Sequence, residues 1–289
     1  MKFITKVIPI NSNIEKYIIN NVKTQYNSMN LFVPFNDKSC NNLISHVNKQ
    51  FNNKISCNLI NSIKSAFVKQ TIVKYNYRLE KNAKFIKNVY SESEELFNYK
   101  KKFKNPIELI SEKYILSPLN IVRFILKNKY KKKFSKINKI ELSKFDSQML
   151  EYSIKHDEYA LIDGSKIEKE AILFEKDIEK ILIKHKIKYK TQEDLAKEQI
   201  KKFGKPINTP DFLILSDLYI NNIKINWIDA KKFYGSCVSF VEKRIEHQTE
   251  KYLSEYGSGS IVFNLSFNEN LKFNNILLLD YNSFHKMSI

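Results

Sequence analysis

Along residues 166 to 186 (KIEKEAILFEKDIEKILIKHK), apolar side chains fall at 167, 171, 174, 178, 181 and 182. That three-and-four spacing puts one apolar stripe on one face of a helix. Ser239 to Tyr256 has the same helical rhythm and stops at Gly257, as a helix ending on glycine should. Between them the pattern changes. Asp211 opens the short apolar run Phe212-Leu213-Ile214-Leu215, and Ile223, Ile225, Trp227 and Ile228 mark a second extended run. Ile261 to Phe267 and Ile276 to Leu279 also read as strands. The C-terminal half is therefore expected to run helix, strand, strand, helix, strand, with a short strand-and-helix excursion at Lys188 to Phe203. Gly257-Ser258-Gly259-Ser260 reads as a helix-to-strand turn; it lacks the context of a phosphate loop or a serine nucleophile.

The N-terminal half is helical in pattern, with no strand alternation. Asn42 to Phe51 and Cys57 to Tyr75 are two amphipathic runs separated by a polar turn, a helix-turn-helix pair in outline. Pro106 to Tyr114 begins a second pair. Ser117-Pro118 then supplies an N-cap followed by proline in the first helical position, and the helix continues from Leu119 to about Tyr130. Asp146 to Tyr159 reads as a helix leading into the C-terminal half, with a hinge over residues 131 to 145. The expected fold class is α+β: an all-helical part over residues 1–145, and a mixed domain over 146–289.

Charge divides the chain at nearly the same place. Residues 1–150 hold 28 Lys and Arg against 10 Asp and Glu, and residues 151–289 hold 21 against 21, so the whole net charge of +18 lies in the first half. A biased genome enriched in lysine codons does not explain that asymmetry, and lysine and arginine supply most non-specific affinity for phosphate. The second helix of a helix-turn-helix enters the major groove. Asn120, Arg123, Lys127 and Lys129 are expected to face outward from Leu119–Tyr130, and Asn120 and Arg123 are candidates for base or phosphate contact. Lys127 to Lys139 (KNKYKKKFSKINK) is the most basic stretch. With Tyr130 and Phe134 interleaved, Lys127, Lys131, Lys132 and Lys133 are candidate phosphate contacts.

The remaining composition sets negative bounds. No apolar run approaches the length of a membrane span, and MKFITKVIPINSN is too short in apolar content for a signal peptide. Cys40, Cys57 and Cys237 have neither disulfide-framework nor zinc spacing and suit a reducing compartment; the expected location is the nucleus, the cytoplasm or both. The histidines are dispersed, and His247 reads as a helix-surface residue.

Candidate chemistry sits where the two apolar runs begin and end: Pro210-Asp211 opens one, and Asp229-Ala230-Lys231 closes the other. Residues two apart on a strand share a face, so Asp229 and Lys231 project together, and a hairpin joining the runs would bring Asp211 beside them. Hard divalent ions take oxygen ligands, commonly one or two carboxylates with water and phosphate completing the shell. Such an ion lowers the pKa of bound water and stabilises a displaced oxygen. A lysine beside it can orient or deprotonate water. Glu175, flanking the stripe of the preceding helix, is a further acid within reach.

These residues together resemble a known family. Thr209-Pro210-Asp211-Phe212, Trp227-Ile228-Asp229-Ala230-Lys231 with Gly235 after it, Phe174-Glu175, Gln248 and Tyr252 to Gly259 (YLSEYGSG) are similar to the Codanin-1-interacting nuclease family. That family is the TPD-motif branch of the PD-(D/E)xK nuclease superfamily. The strong match covers roughly residues 165 to 270, and a weaker one is best at Ile107 to Leu126. Two positions depart: Asp229 stands where relatives carry glutamate, and Ala171 where they tend to carry glycine. The resemblance implies a restriction-endonuclease-like αβββαβ core and hydrolysis of DNA or RNA phosphodiesters. It also implies Mg²⁺ or Mn²⁺ held by Asp211, Asp229 and Glu175, with Lys231 as catalytic lysine and Gln248 beside it. The expected partners are nucleic acid and a Codanin-1-like protein. Two further readings remain open: a nuclease-like scaffold that holds a protein partner, and an architectural DNA binder.

Overall fold

The structure is a computed structural model that describes residues 1–131, 141–160 and 164–287, with only the backbone of 164–167. The chain forms two compact units, one made of Met1–Lys16 with Asp163–Ile289, the other of Tyr17–Ile162. Both the α+β class and the location of the sheet in the C-terminal half follow the pattern of the sequence. Among the described residues no helix is long and apolar enough to cross a membrane.

The helices, in chain order, are α1 (Ser12–Lys23), α2 (Asp37–Phe51), α3 (Cys57–Tyr75), α4 (Arg78–Lys81), α5 (Ala83–Asn98), α6 (Pro106–Tyr114), α7 (Pro118–Tyr130), α8 (Lys144–Lys155), α9 (Gly164–Lys184), α10 (Gln192–Phe203), α11 (Ser239–Tyr256) and α12 (Tyr281–His285). The strands are β1 (Lys2–Phe3), β2 (Tyr189–Thr191), β3 (Phe212–Ile214), β4 (Tyr219–Ile220), β5 (Ile223–Lys224), β6 (Trp227–Lys231), β7 (Gly259–Phe263) and β8 (Ile276–Asp280).

In the mixed unit a five-stranded sheet runs in the order β2-β3-β6-β7-β8. β2 pairs antiparallel with β3 and β3 with β6, while β6 pairs parallel with β7 and β7 with β8. The stripe read on the preceding helix is the buried face of α9. Phe174, Ile178, Ile181 and Leu182 pack with Phe212, Ile214, Ile228, Val262 and Leu279 in one core. The return from β6 to β7 passes through α11, the connection that a parallel pair requires. The indole of Trp227 is buried and donates to the Gly257 carbonyl at 2.8 Å. Its ring covers Gly259, where a Cβ would overlap it.

Several expectations are corrected here. The N-terminal part is not all helical: β1 pairs parallel with β4, which pairs with β5 in a separate three-stranded sheet. Backbone bonds from Tyr219 to Met1 and from Asn221 to Phe3, each 2.9 Å, tie the first residues into the mixed unit. A two-residue strand carries no period-2 signal, so only the pairing reveals it. The boundary expected at residue 145 falls after residue 162, because Phe145 and Met149 of α8 belong to the core of the helical unit with Ile86, Tyr90, Ile121 and Ile125. The excursion at Lys188–Phe203 supplies β2, an integral edge strand, and α10. The apolar runs after it are not joined by a simple hairpin; β4 and β5 intervene, and Ile223 belongs to the smaller sheet. The strand expected at Ile261–Phe267 runs from Gly259 to Phe263; Asn264 N–H makes a last bond across to the Lys231 carbonyl at 2.9 Å, and the chain then turns through Ser266 at φ +62°.

In the helical unit both predicted pairs form. Ser56 caps α3, accepting from Leu59 N–H at 3.2 Å, and Asn105 caps α6 ahead of Pro106, accepting from Ile107 N–H at 2.9 Å. The cysteine reading is overturned. Cys40 of α2 and Cys57 at the start of α3 form a disulfide, their Cα atoms 5.3 Å apart. The 17-residue separation matched no framework in sequence; the start of α3 is brought back beside the start of α2, where Asn61 Oδ1 accepts from Phe35 N–H at 2.8 Å.

Lys64 of α3 lies 1% exposed, donating to Gln25 Oε1 and to the Asn30 carbonyl at 2.7 Å each, with Phe35 4.1 Å below the ammonium. Burial lowers its pKa to about 7. The folded state then holds fewer protons than the unfolded chain between about pH 7 and the ordinary lysine range, so stability rises with pH across that window and is lost as pH falls through it. The thermal midpoint of the full chain is expected to be higher at pH 9 than at pH 6.5, and Lys64→Met to flatten that dependence. Equal slopes for the two proteins would refute this.

Candidate active site

Strand β6 sets the geometry. Trp227, Asp229 and Lys231 alternate onto one face, while Ile228 and Ala230 pack toward the core on the other. The antiparallel register Phe212↔Ile228 places Asp211, one step before β3, directly opposite Asp229. Opposed residues on one face stand close enough to interact strongly. Asp211 is held in that position by a 2.7 Å bond that its Oδ2 accepts from Ala230 N–H.

Helix α11 closes the other side. Gln248 accepts from Lys231 Nζ at 2.9 Å through Oε1, and its Nε2 donates to Asp229 Oδ1 at 3.3 Å and to the Tyr252 hydroxyl at 2.9 Å. The Tyr252 hydroxyl donates to the Thr209 carbonyl at 3.4 Å, and its ring lies against Trp227 at 5.2 Å. Lys231 also forms an ion pair with Asp229 Oδ2. The Asp229 side chain is 1% exposed and that of Lys231 13%. One amide thus fixes both the carboxylate and the ammonium.

The acids repel each other. Burial first, and then the charge of Asp229, raise the carboxyl of Asp211 well above its ordinary range, with Lys231 opposing. Glu175 on α9 is raised in the same way, by burial and by Asp229, again opposed by Lys231. Both titrations thus respond to the same two charges. A cavity of about 490 Å³ opens beside Glu175 and Asp211, lined also by Glu168, Glu179, Thr191 and Glu193.

The oxygen-rich donor set suits a hard divalent ion. Two carboxylates with water and phosphate are enough for one such ion. Mutual repulsion among buried acids is the condition that a cation relieves. Among the described residues no group of three or more His, Cys, Asp or Glu side chains has the geometry of a metal centre. Asp211 and Asp229 are the pair that would hold an ion, with Glu175 at the cavity wall.

Asp211, Asp229, Lys231, Glu175 and Gln248 are therefore brought to one site. Tyr252 joins them without a role foreseen from sequence, although its position four residues after Gln248 puts both on one helix face. Glu15 gave no signal in sequence. It is 2% exposed and accepts from Tyr234 at 3.2 Å, from Ser236 and from Asn268, fastening the start of α1 to the loop after β6. His247 is exposed on α11.

The candidate nucleic-acid residues of α7 are arranged differently from the expectation. Asn120 is half-buried, its amide donating to Asn76 at 3.4 Å. Arg123 is half-buried as well; burial lowers its pKa while Asp157 opposes. Lys129 is paired with Glu94 at 2.7 Å and Asp146 at 2.9 Å. Lys127 and Lys131 stand exposed, while Lys132 and Lys133 lie outside the described residues. The start of α7 is anchored by Asp157, which is fully buried. It accepts from the Ser117 hydroxyl, from Leu119 N–H at 3.1 Å and from Ala160 N–H at 2.9 Å. Asp157→Ala leaves those donors buried without an acceptor, and is expected to cost the full chain on the order of 3 kcal/mol in urea denaturation. A loss within about 0.5 kcal/mol, that of a surface change, would contradict the assignment.

Residues 142–282 match the family described as a protein of unknown function with a TPD sequence motif. An uncharacterized protein of Acanthamoeba polyphaga mimivirus is 32% identical over 111 residues, which is 37% of this chain and 38% of that protein. The match thus spans well under half of the viral relative. No solved structure matches. Over residues 142–282, which include most of its mixed unit, the chain is similar to a TPD-motif family whose function is not assigned.

Proposed function

We propose that the protein is a metal-dependent nuclease that hydrolyses phosphodiester bonds of DNA or RNA. The observation that carries this reading is the convergence of Asp211, Asp229, Lys231 and Glu175 at one end of the β3-β6 pair. The helix-sheet order supports it too: with α10 and the small pair β4-β5 set aside as insertions, the run α9, β2, β3, β6, α11, β7 follows the αβββαβ order that the resemblance to PD-(D/E)xK nucleases implies.

When bound, Mg²⁺ or Mn²⁺ supplies hydroxide at neutral pH and charge for the displaced oxygen. Asp211 and Asp229, opposite each other in the β3-β6 register, would hold it. Lys231 would hydrogen-bond and orient the attacking water. Gln248 orients the Lys231 ammonium, and Tyr252 orients Gln248. Glu175, at the cavity wall, would add a further acid to the metal's surroundings. The test is cleavage of labelled single-stranded, duplex and branched DNA and RNA with Mg²⁺ or Mn²⁺, compared with substitutions at Asp229 and Lys231.

A second reading, a nuclease-like scaffold holding a protein partner, has one observation in its favour. The ammonium of Lys231 already lies on Asp229 Oδ2, an arrangement that neutralises the acid without any ion. Calorimetric titration with Mn²⁺ separates the two: binding that disappears in Asp211→Asn supports the nuclease, and no binding supports the scaffold.

A further inference from the structure

Immediately before the site, residues 201–207 (KKFGKPI) are exposed without a break, and the chain then dives to buried Asn208 and Pro210. Three lysines, Lys201, Lys202 and Lys205, alternate here with apolar side chains. Phe203 is 51% exposed, Ile200 49% and Ile207 57%. Exposed apolar residues scattered singly need no explanation. Three of them within one turn and its loop, interleaved with cations, make an amphipathic surface.

The loop is also built rather than slack. The Gln199 side chain donates to the Asn208 carbonyl at 2.7 Å and accepts from Ile207 N–H at 2.6 Å and Asn208 N–H at 3.0 Å. Asn208 in turn donates to the Lys251 carbonyl and to Glu255 Oε2, each at 2.7 Å, and its own carbonyl accepts from Tyr256 at 2.9 Å. Gly204, at φ +76°, ends α10 and bonds back to Ile200 at 2.9 Å. This scaffolding presents Phe203 and Ile207 to solvent at fixed positions although burying them would be favourable. Lys202 hovers 5.0 Å over the Phe203 ring, leaving a cation beside an open aromatic face.

We propose that this loop grips a single-stranded nucleic acid, with a base stacked on Phe203 and flanking phosphates on Lys201, Lys202 and Lys205. An unpaired strand offers both an open base face and regular negative charge, whereas a duplex hides its base faces in the stack. The cations select against an apolar protein partner, and the ring is wasted on a duplex backbone. The proposal rests on the nuclease reading for the fate of the strand once it is held. α10 begins against the site, where Gln192 N–H donates to the Asp211 carbonyl at 3.0 Å, and its twelve residues span about 18 Å. A strand held at Phe203 has a few nucleotides with which to reach the carboxylates.

The test measures binding in EDTA, so that cleavage plays no part. Fluorescein-labelled twelve-base oligothymidylate and its duplex with oligoadenylate are titrated with the full chain and with Phe203→Ala, Phe203→Leu and Phe203→Trp. Phe203→Ala is expected to weaken single-strand binding roughly tenfold and to leave the duplex unchanged. Phe203→Trp should restore affinity and show quenching of the new indole on binding, because Trp227 is the chain's single tryptophan and is buried. Replacing the three lysines with glutamine should flatten the salt slope by about 2. Unchanged thermal midpoints establish that these exposed substitutions fold. Equal losses on single strand and duplex, no loss with Phe203→Ala, or tighter binding to acidic lipid vesicles than to oligonucleotide would overturn the grip. The two readings fail separately: selective binding without Mg²⁺-dependent cleavage sinks only the nuclease, and cleavage with indifferent Phe203 variants sinks only the grip.

Discussion

Lys231→Ala protein, supplied with Mg²⁺ and a cleavable strand, is expected to cut about 10²- to 10⁴-fold more slowly than the natural chain, the range for loss of a group that handles a proton in the transition state. The side chain is only 13% exposed and held by Asp229 and by Gln248 at 2.9 Å, so its position does not depend on solvent. Its removal leaves Asp229 buried beside Asp211 without a counter-charge, and both Asp211 and Glu175 should titrate still higher. Metal affinity is then expected to hold or rise while the rate falls, because a bound ion takes over the neutralisation. Asp229→Ala should behave oppositely, losing metal binding and rate together. Gln248→Ala should lose less than either, since it orients rather than reacts. Rates and Mn²⁺ isotherms on the same preparations decide the matter; cleavage that survives both Lys231→Ala and Asp229→Ala would place the activity elsewhere.

The largest effect on stability is expected at Gly259. A methyl group there would overlap the indole of Trp227, and neither can step aside. Gly259 opens β7, which is held by pairing with β6 on one side and β8 on the other. Trp227 is fully buried, with its N–H committed to the Gly257 carbonyl at 2.8 Å. Gly259→Ala is therefore expected to cost about 3 kcal/mol, the upper part of the range for overpacking a core. That corresponds to a drop in thermal midpoint of roughly 6–12 °C for a domain of this size. Trp227→Phe in the same chain should recover part of the loss, because the smaller ring leaves room, and a double-mutant cycle would give the coupling. Two independent losses that simply add would show that the glycine is required for some other reason. At Gly235 a Cβ would come to 2.6 Å from Phe267 Cβ, so close packing, rather than an unusual backbone angle, explains both glycines.

Much of the fold was legible because its longest elements carry strong periodic signals. α3, α6 and α11 lie where apolar spacing, caps and a terminal glycine put them. The stripe at 174, 178, 181 and 182 is the buried face of α9. Short strands were legible only where they are continuous and apolar, as at Phe212–Ile214 and Ile276–Asp280. β1 has two residues and β2 three, too few for alternation to register.

The site divides along the same line. Asp229 and Lys231 share a face because alternation along one strand is a local property, readable from neighbouring letters. Their relation to Asp211 depends on the β3-β6 register across an intervening pair of short strands, and to Gln248 and Tyr252 on the docking of α11. For a similar reason the outward reading of Asn120 and Arg123 holds only in part, since both are half-buried. Helical spacing separates faces, but how far the flanks of the apolar face are covered depends on distant segments: Asn76 meets Asn120, and Asp157, 38 residues beyond Leu119 in sequence, anchors the start of α7. The disulfide between Cys40 and Cys57 likewise exists only because two helices pack side by side. Sequence by itself determined the longer elements, the class and the strings that carry chemistry, since each rests on contacts between near neighbours. Which acids face each other, which lysines are engaged by carboxylates and which end of the chain joins the mixed unit were decided by tertiary structure, because those contacts form only when distant segments pack together.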